Sequence, residues 1–336
     1  MVPWNALSLD RASTAGIPVS HATIEGSVRA SRIAANELPL IPASVLVLPQ
    51  LALEAMLCEV YCNPSPGLVS ARGTGAHRDM DWFKFIGSSV CIQGYLGLVC
   101  ELVYRQAGSG SLPNLEELRA IGLEAERAML RRTGGVNTQK GLIYFFILVL
   151  AAAAYLEGQG TTPTTATICR VVSEVAVSFE QDVQRTELPT WRKSAWVEHR
   201  LGGARDEAAN GLVTVRLLGL PALEACLADG LSLNDSLVHT LIVLISEVDD
   251  TCIVHRAGIQ GLQRAQSEAR HVLGLGGSRT AEGRAAIVRM DAMFCADGMS
   301  PGGSADLLAV TTFFWLLAGS QIQASRHDAK APAAAE

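Results

Sequence analysis

The glycines of this chain gather in short polar runs beside charged and hydroxyl residues: Gly67, Gly73-Thr74-Gly75, Gly134-Gly135, Gly202-Gly203, Gly276-Gly277 and Gly302-Gly303. Gly276-Gly277 reads as a helix end and a turn. The other runs carry more polar chemistry than a turn requires. A helix that starts from a Gly-rich loop offers free N–H groups and the positive end of its dipole, and glycine lets an anion approach the backbone closely. Ser300-Pro301-Gly302-Gly303-Ser304 is the clearest case, and phosphate is the anion it suits. The standard nucleotide and hydrolase signatures are absent: no GxxxxGK[ST], no GxGxxG after a strand, no HExxH and no GxSxG. That argues against a conventional kinase, dehydrogenase, zinc protease or α/β-hydrolase.

Helices must position these runs. The chain has 336 residues, 49% apolar and only 18% charged, which supplies a sizeable core and excludes extensive disorder. Its net charge of −6, with no basic stripe, argues against a nucleic-acid polymer. Ile168, Val171, Val172, Val175, Phe179 and Val183 fall on one helical face. So do Leu233, Leu237, Leu241, Leu244 and Val248, and Phe83, Ile86, Val90, Leu98 and Leu102. Thr162-Pro163 and Ser300-Pro301 look like caps followed by proline at the first helical position. Strand alternation is nearly absent. The expected fold is all-α, a single multi-helix domain of about ten helices joined by Gly-rich loops. It is expected over 44–322, after a loosely ordered or short-helical extension at 1–43 and before a flexible tail at 323–336.

The uncharged run at 142–156 is shorter than the ~20 residues of a spanning helix and reads as a buried core helix. Asp10 and Arg11 interrupt what would be a signal peptide. The eight cysteines form no CxxC pair and read as reduced thiols. Cys58 and Cys62 would share a helix face only if the helix ran on toward Pro64. The expected compartment is the cytoplasm, with no membrane partner.

Five separated segments resemble the triphosphoribosyl-dephospho-CoA synthase family, which makes the prosthetic-group precursor of citrate lyase and malonate decarboxylase. They are 59–69 (EVYCNPSPGLV), 75–80 (GAHRDM), 134–141 (GGVNTQKG), 203–208 (GARDEA) and 300–308 (SPGGSADLL). A sixth is Asp250-Thr251 followed by Arg256-Ala257-Gly258. Their order and spacing resemble the family from about residue 50 to 320, and the set is far more specific than any member. The resemblance implies that ATP gives its 5-triphosphoribosyl group to the ribose 2′-hydroxyl of 3′-dephospho-CoA and that adenine leaves.

Such a transfer needs a general acid for adenine, a carboxylate near the oxocarbenium-like sugar carbon, and cations and N–H groups for the triphosphate. The resemblance implies Glu207, Asp79 and Glu59 as catalytic carboxylates, with Glu207 the preferred acid or base. It implies Asp79 and Asp250 as Mg²⁺ ligands, hard oxygen donors being what Mg²⁺ takes. It assigns the substrate's phosphates to His77, Asn137, Thr138, Lys140, Arg205, Arg256, Ser300, Gly302, Gly303, Ser304 and Asp306. The expected partners are ATP and a small-molecule acceptor, and a homodimer stays open. Simpler roles compete: His77 as a cap for a helix near Asp79, residues 205–207 as a solvated first turn, Asp306 as an exposed first-turn acid, and Asn137-Thr138 as a plain helix cap.

The chain departs from the family pattern at Ser65 (usually Lys), Ser70 (Asp), Gln139 (His), Cys252 (Asn) and Ala257 (Gly). Losing a cation and an imidazole from a phosphate-rich site opens two alternatives: the same transfer to a different small-molecule acceptor, or nucleotide binding without catalysis. A phosphohydrolase using a carboxylate-bound metal pair is a third class, and it would release phosphate rather than adenine.

Overall fold

The computed structural model describes residues 40–183 and 201–328, with side chains for 40–177 and 201–321. The terminal segments expected as an extension and a tail lie almost entirely outside the described residues, as do the side chains of Phe179 and Val183. From Ile41 onward the described residues belong to one compact unit. No strand occurs among them, only an isolated bridge between Ser70 and Gly73.

The helices are α1 (Ala43–Leu46), α2 (Leu48–Tyr61), α3 (Trp82–Gln106), α4 (Leu115–Thr133), α5 (Lys140–Gly158), α6 (Thr165–Val183), α7 (Gly203–Ala209), α8 (Leu220–Ala228), α9 (Leu233–Glu247), α10 (Thr251–Gly274), α11 (Ala281–Asp297) and α12 (Gly302–Asp328). A π-helical turn, Val215–Gly219, leads into α8. α5 is the centre. Its run of Leu, Ile, Phe and Ala is buried on nearly every side, because α3, α4, α6 and α12 all pack on it. Phe146 of α5 meets Phe313 of α12 edge-on at 5.8 Å, a favourable aromatic arrangement. By length and composition alone, four helical stretches could cross a membrane (43–61, 82–109, 140–158 and 302–321), and burial inside the protein takes up most of the apolar surface of α5.

The periodicity located the helices better than it oriented them. Ile168, Val171, Val172 and Val175 of α6 are buried as expected, and so are Leu237, Leu241 and Leu244 of α9. On α3 the expected inner stripe faces outward: Phe83, Val90 and Leu98 are 66%, 57% and 53% exposed. The buried face instead carries Ser88, Ser89, Ile92, Leu96, Val99, Cys100 and Val103. α3 is apolar around most of its circumference, so period alone could not choose the side. Two starts also shift. Thr164, not Thr162, caps α6, its Oγ accepting from the Thr167 N–H at 3.2 Å. α12 begins at Gly302, after Pro301, so Ser300 is no cap.

Candidate active site

The site is assembled from loops and helix starts that the α2–α12 and α9–α10 packing draws together. α2 ends at Tyr61, and residues 62–81 wrap back over the bundle. Asn234 clamps this loop at both backbone atoms of Asn63. Its Oδ1 accepts from the Asn63 N–H at 3.0 Å, and its Nδ2 donates to the Asn63 carbonyl at 2.8 Å. The Gly67 N–H donates to Asp291 Oδ1 at 3.0 Å. Nothing in the sequence motifs pointed to Asn234 or Asp291; each lies in an unremarkable helical stretch far from the loop it holds.

Three carboxyl groups converge here. Glu59, near the end of α2, is 7% exposed, and burial pushes its carboxyl up to about 8. Asp306 lies in the second turn of α12. Burial first, then the charges of Glu59 and Asp250, hold its carboxyl well above the usual carboxylate range. No hydrogen bond or ion pair engages Glu59 or Asp306 among the described residues, so their acceptor atoms remain available to a ligand. Asp250 differs. As N-cap of α10 its Oδ1 accepts from the N–H groups of Cys252 (2.9 Å) and Ile253 (3.3 Å). Its Oδ2 accepts from Ser304 N–H (2.7 Å) and Ser304 Oγ–H (3.0 Å). Burial raises the Asp250 pKa and these donors pull against it.

The start of α12 was expected to hold phosphate, but a protein carboxylate occupies the Ser304 amide. Gly303 packs tightly there: a Cβ would come 3.2 Å from the Asp250 carboxylate. Gly302 packs beside Cys252 Sγ. With all its carboxylate contacts inside the fold, Asp250 acts as a joint between α10 and α12 and is poorly placed for a metal. Asp79 is exposed, with its carboxylate 3.9 Å from His77 Nδ1. Among the described residues no group of three or more His, Cys, Asp or Glu is arranged to hold a metal ion.

Gly141 opens α5 directly against Asp306. A Cβ on Gly141 would sit 2.1 Å from Asp306 Oδ2, so only glycine lets the carboxylate lie on this helix start. Gly141→Ala must push Asp306 aside. Misplacing a reacting group by ~1 Å can lower turnover about a hundredfold, so a drop of that order with a small change in melting temperature is expected; an unaltered rate would take Asp306 out of the site.

The other expected residues divide. Asn137 Oδ1 accepts from the Lys140 N–H at 3.1 Å, at the first residue of α5, while Lys140 Nζ pairs with Glu126 at 2.7 Å near the surface. Thr138 donates to Ser88 Oγ at 2.9 Å. Gln139 is 2% exposed and points into the bundle, its Oε1 accepting from Ser88 Oγ at 2.8 Å and its Nε2 donating to Ser89 Oγ at 3.0 Å. The departure at Gln139 is therefore a core change that leaves the charge of the site untouched. Ser70 Oγ likewise accepts from Asn63 Nδ2 within its own loop. The adjacent serines at 88 and 89, in an apolar helix, were the available signal for this buried network.

Glu207 is not brought to the carboxyl cluster. Its two oxygens accept from the Thr214 N–H and hydroxyl, both at 2.8 Å, and close the turn after α7. Burial raises its pKa, with Thr214 and Arg216 opposing. Arg205 lies half-buried on the same short helix. The cap near Asp79 is Asp81, whose Oδ1 accepts from the Lys84 N–H at 2.9 Å, so His77 is left free for another partner. His77 Nε2 meets Ser300 Oγ at 2.8 Å and its Nδ1 meets Arg256 Nη2 at 2.8 Å. Burial, then the Arg256 charge, lowers the His77 pKa to about 4 against a smaller opposing pull from Asp79, and keeps the ring neutral.

Residues 47–324 match the model of the CitG family, described as ATP:dephospho-CoA triphosphoribosyl transferase. The chain belongs to this family. Among its relatives, a probable 2-(5''-triphosphoribosyl)-3'-dephosphocoenzyme-A synthase of Vibrio cholerae is 38% identical over 80% of this chain and 86% of its own length. The synthase of Pectobacterium atrosepticum is 37% identical over 82% of this chain and 89% of its own. That of Klebsiella pneumoniae is 34% identical over 80% and 93%. No solved structure matches the chain. Membership makes the protein a transferase, and the CitG match spans α2 to α12, so every segment that builds the carboxyl cluster falls inside it.

Proposed function

We propose that the protein transfers the 5-triphosphoribosyl group of ATP to the ribose 2′-hydroxyl of 3′-dephospho-CoA and releases adenine. The observation that carries this reading is the pair of unengaged, desolvated carboxyl groups, Glu59 and Asp306, enclosed by the family's own segments. Two such groups cannot both ionise readily, so the pair holds a proton at neutral pH. Glu59 donates it to a ring nitrogen of adenine as the C1′–N9 bond breaks. The carboxylate charge left on the pair once that proton has gone stabilises the positive charge that grows at C1′. The acceptor oxygen then bonds to C1′ and its proton passes to the pair, which ends with as many protons as it began.

Mg²⁺ would neutralise the triphosphate. Asp79 fits it better than Asp250, because an exposed all-oxygen ligand leaves room for the waters that Mg²⁺ retains. The family acceptor is kept over another one because two of the five departures, Gln139 and Ser70, have side chains engaged by the protein's own groups, Ser88 and Asn63. The eight cysteines are all unpaired, which supports the cytoplasm as the proposed location.

The test is incubation with ATP, Mg²⁺ and dephospho-CoA, following free adenine by chromatography and the product by mass. Adenine released only with another alcohol would change the acceptor; ATP binding without turnover by calorimetry would make the protein a nucleotide binder. Phosphate or pyrophosphate release without adenine would replace the transfer with hydrolysis.

A further inference from the structure

Arg256, His77 and Ser300 come from three separate segments, and each alone would be read as a direct contact to phosphate. They touch one another instead. Arg256 Nη2 is 2.8 Å from His77 Nδ1, and His77 Nε2 is 2.8 Å from Ser300 Oγ. A guanidinium has donors only, so Nδ1 must accept. A ring that accepts at Nδ1 carries its one hydrogen on Nε2, which donates to Ser300 Oγ. Asp79 Oδ1, at 3.9 Å from Nδ1, is beyond hydrogen-bond reach and does not compete.

The direction of the chain fixes what Ser300 can do. Its oxygen accepts from His77, which leaves its own hydroxyl hydrogen to be donated. Ser300 is 3% exposed, and no acceptor for that hydrogen occurs among the described residues. A buried donor left without a partner is unfavourable, whereas one at the end of a chain that starts on a cation is polarised toward an anion. The Gly258 backbone, with φ +69° and ψ −177°, breaks α10 just after Arg256, a conformation open essentially to glycine alone. Arg256 lies at that break, its other amino group 3.4 Å from the carbonyls of Ala76 and Gly298.

We propose that Arg256 is a positioning residue that acts through His77, fixing its tautomer so that the Ser300 hydroxyl donates to a polyphosphate oxygen of the substrate. The identity of that ligand rests on the transfer reading above; the relay itself rests on the three side chains.

Two measurements on the full chain test it. With histidine labelled in ¹⁵N, and the His77 signals assigned by their loss in His77→Gln, wild type is expected to hold the Nε2–H tautomer at neutral pH, and Arg256→Ala to show a tautomer mixture. Calorimetry with inorganic tripolyphosphate at fixed low salt is expected to show Ser300→Ala weakening binding about tenfold or more, the usual effect of losing a hydrogen bond to a charged group. Arg256→Ala should weaken it too, and the double variant should be no weaker than Ser300→Ala alone, as for residues acting in series. His77→Gln, which can accept and donate at once, should retain most of the affinity. An Nδ1–H or charged ring in wild type would overturn the proposal. So would losses that multiply in the double variant, since Arg256 would then touch phosphate directly, or tripolyphosphate binding indifferent to Ser300→Ala. If the relay behaves as expected and no adenine is ever released, it is the transfer reading that fails.

Discussion

Glu59→Gln is expected to abolish most adenine release while making the protein more stable at alkaline pH. The side chain is almost wholly buried, engages no partner among the described residues, and has its carboxyl raised from the ordinary 4.5 to about 8 by burial. Between those two values the folded protein holds a proton that the unfolded chain has released. Stability therefore falls as pH rises through this window and is lowest above about 8, where folding must bury an ionised group. Glutamine keeps the shape and cannot ionise. Its stability should match wild type near pH 4 and exceed it near pH 8.5 by on the order of 3 kcal/mol after discounting for relaxation around the charge, seen as a higher melting temperature there. Losing a general acid lowers turnover about 10²–10⁴-fold. Opposite signs for activity and stability mark a residue kept for chemistry at the expense of the fold. Adenine release and thermal melts from pH 4 to 9 measure both. An unchanged rate would remove Glu59 from proton transfer, and a variant less stable than wild type at pH 8.5 would mean that the ionised carboxylate has an energetic partner after all.

The sequence made the helices legible because apolar periodicity and Gly-rich punctuation are local. It made the segments of the site legible because each is contiguous. What fills each helix start was not legible, since that depends on pairings across long stretches of chain. Asp250 and Ser304 are 54 residues apart, and only the packing of α10 on α12 turns a phosphate-like Gly-Gly-Ser amide toward a carboxylate. The same limit applies to Gln139. In the sequence it stands in a phosphate-binding pattern, but the side chain follows Ser88 and Ser89 inward because α3 turns its serine face to the core. Lys140, next in the chain, points outward to Glu126, as successive residues at a helix start must diverge. Glu207 carried the preferred catalytic role by residue type and motif, and its carboxylate closes a local turn with Thr214 instead.

Asp250→Ala is expected to be the most destabilising of the site substitutions, with Asp250→Asn intermediate. Burial raises the pKa of this carboxyl despite its several donors, so the charge itself contributes little to stability. Its acceptor atoms are what the fold uses. Alanine removes the cap of α10, worth about 1–2 kcal/mol. It also leaves the buried Ser304 N–H without an acceptor, a further 1–3 kcal/mol or so. The sum, about 4 kcal/mol, corresponds to a fall in melting temperature on the order of 10 °C. Asparagine can still cap Cys252 and Ile253 through its oxygen, and the Ser304 hydroxyl can rotate to accept from the new amide. Only the Ser304 N–H then faces a donor, so about half the loss is expected. A metal-ligand role predicts another pattern: both substitutions would abolish Mg²⁺-dependent turnover alike and leave the melting temperature nearly unchanged. Paired melts of the two variants, with and without Mg²⁺, separate these outcomes, and equal melting temperatures for wild type, Asn and Ala would refute the joint between α10 and α12.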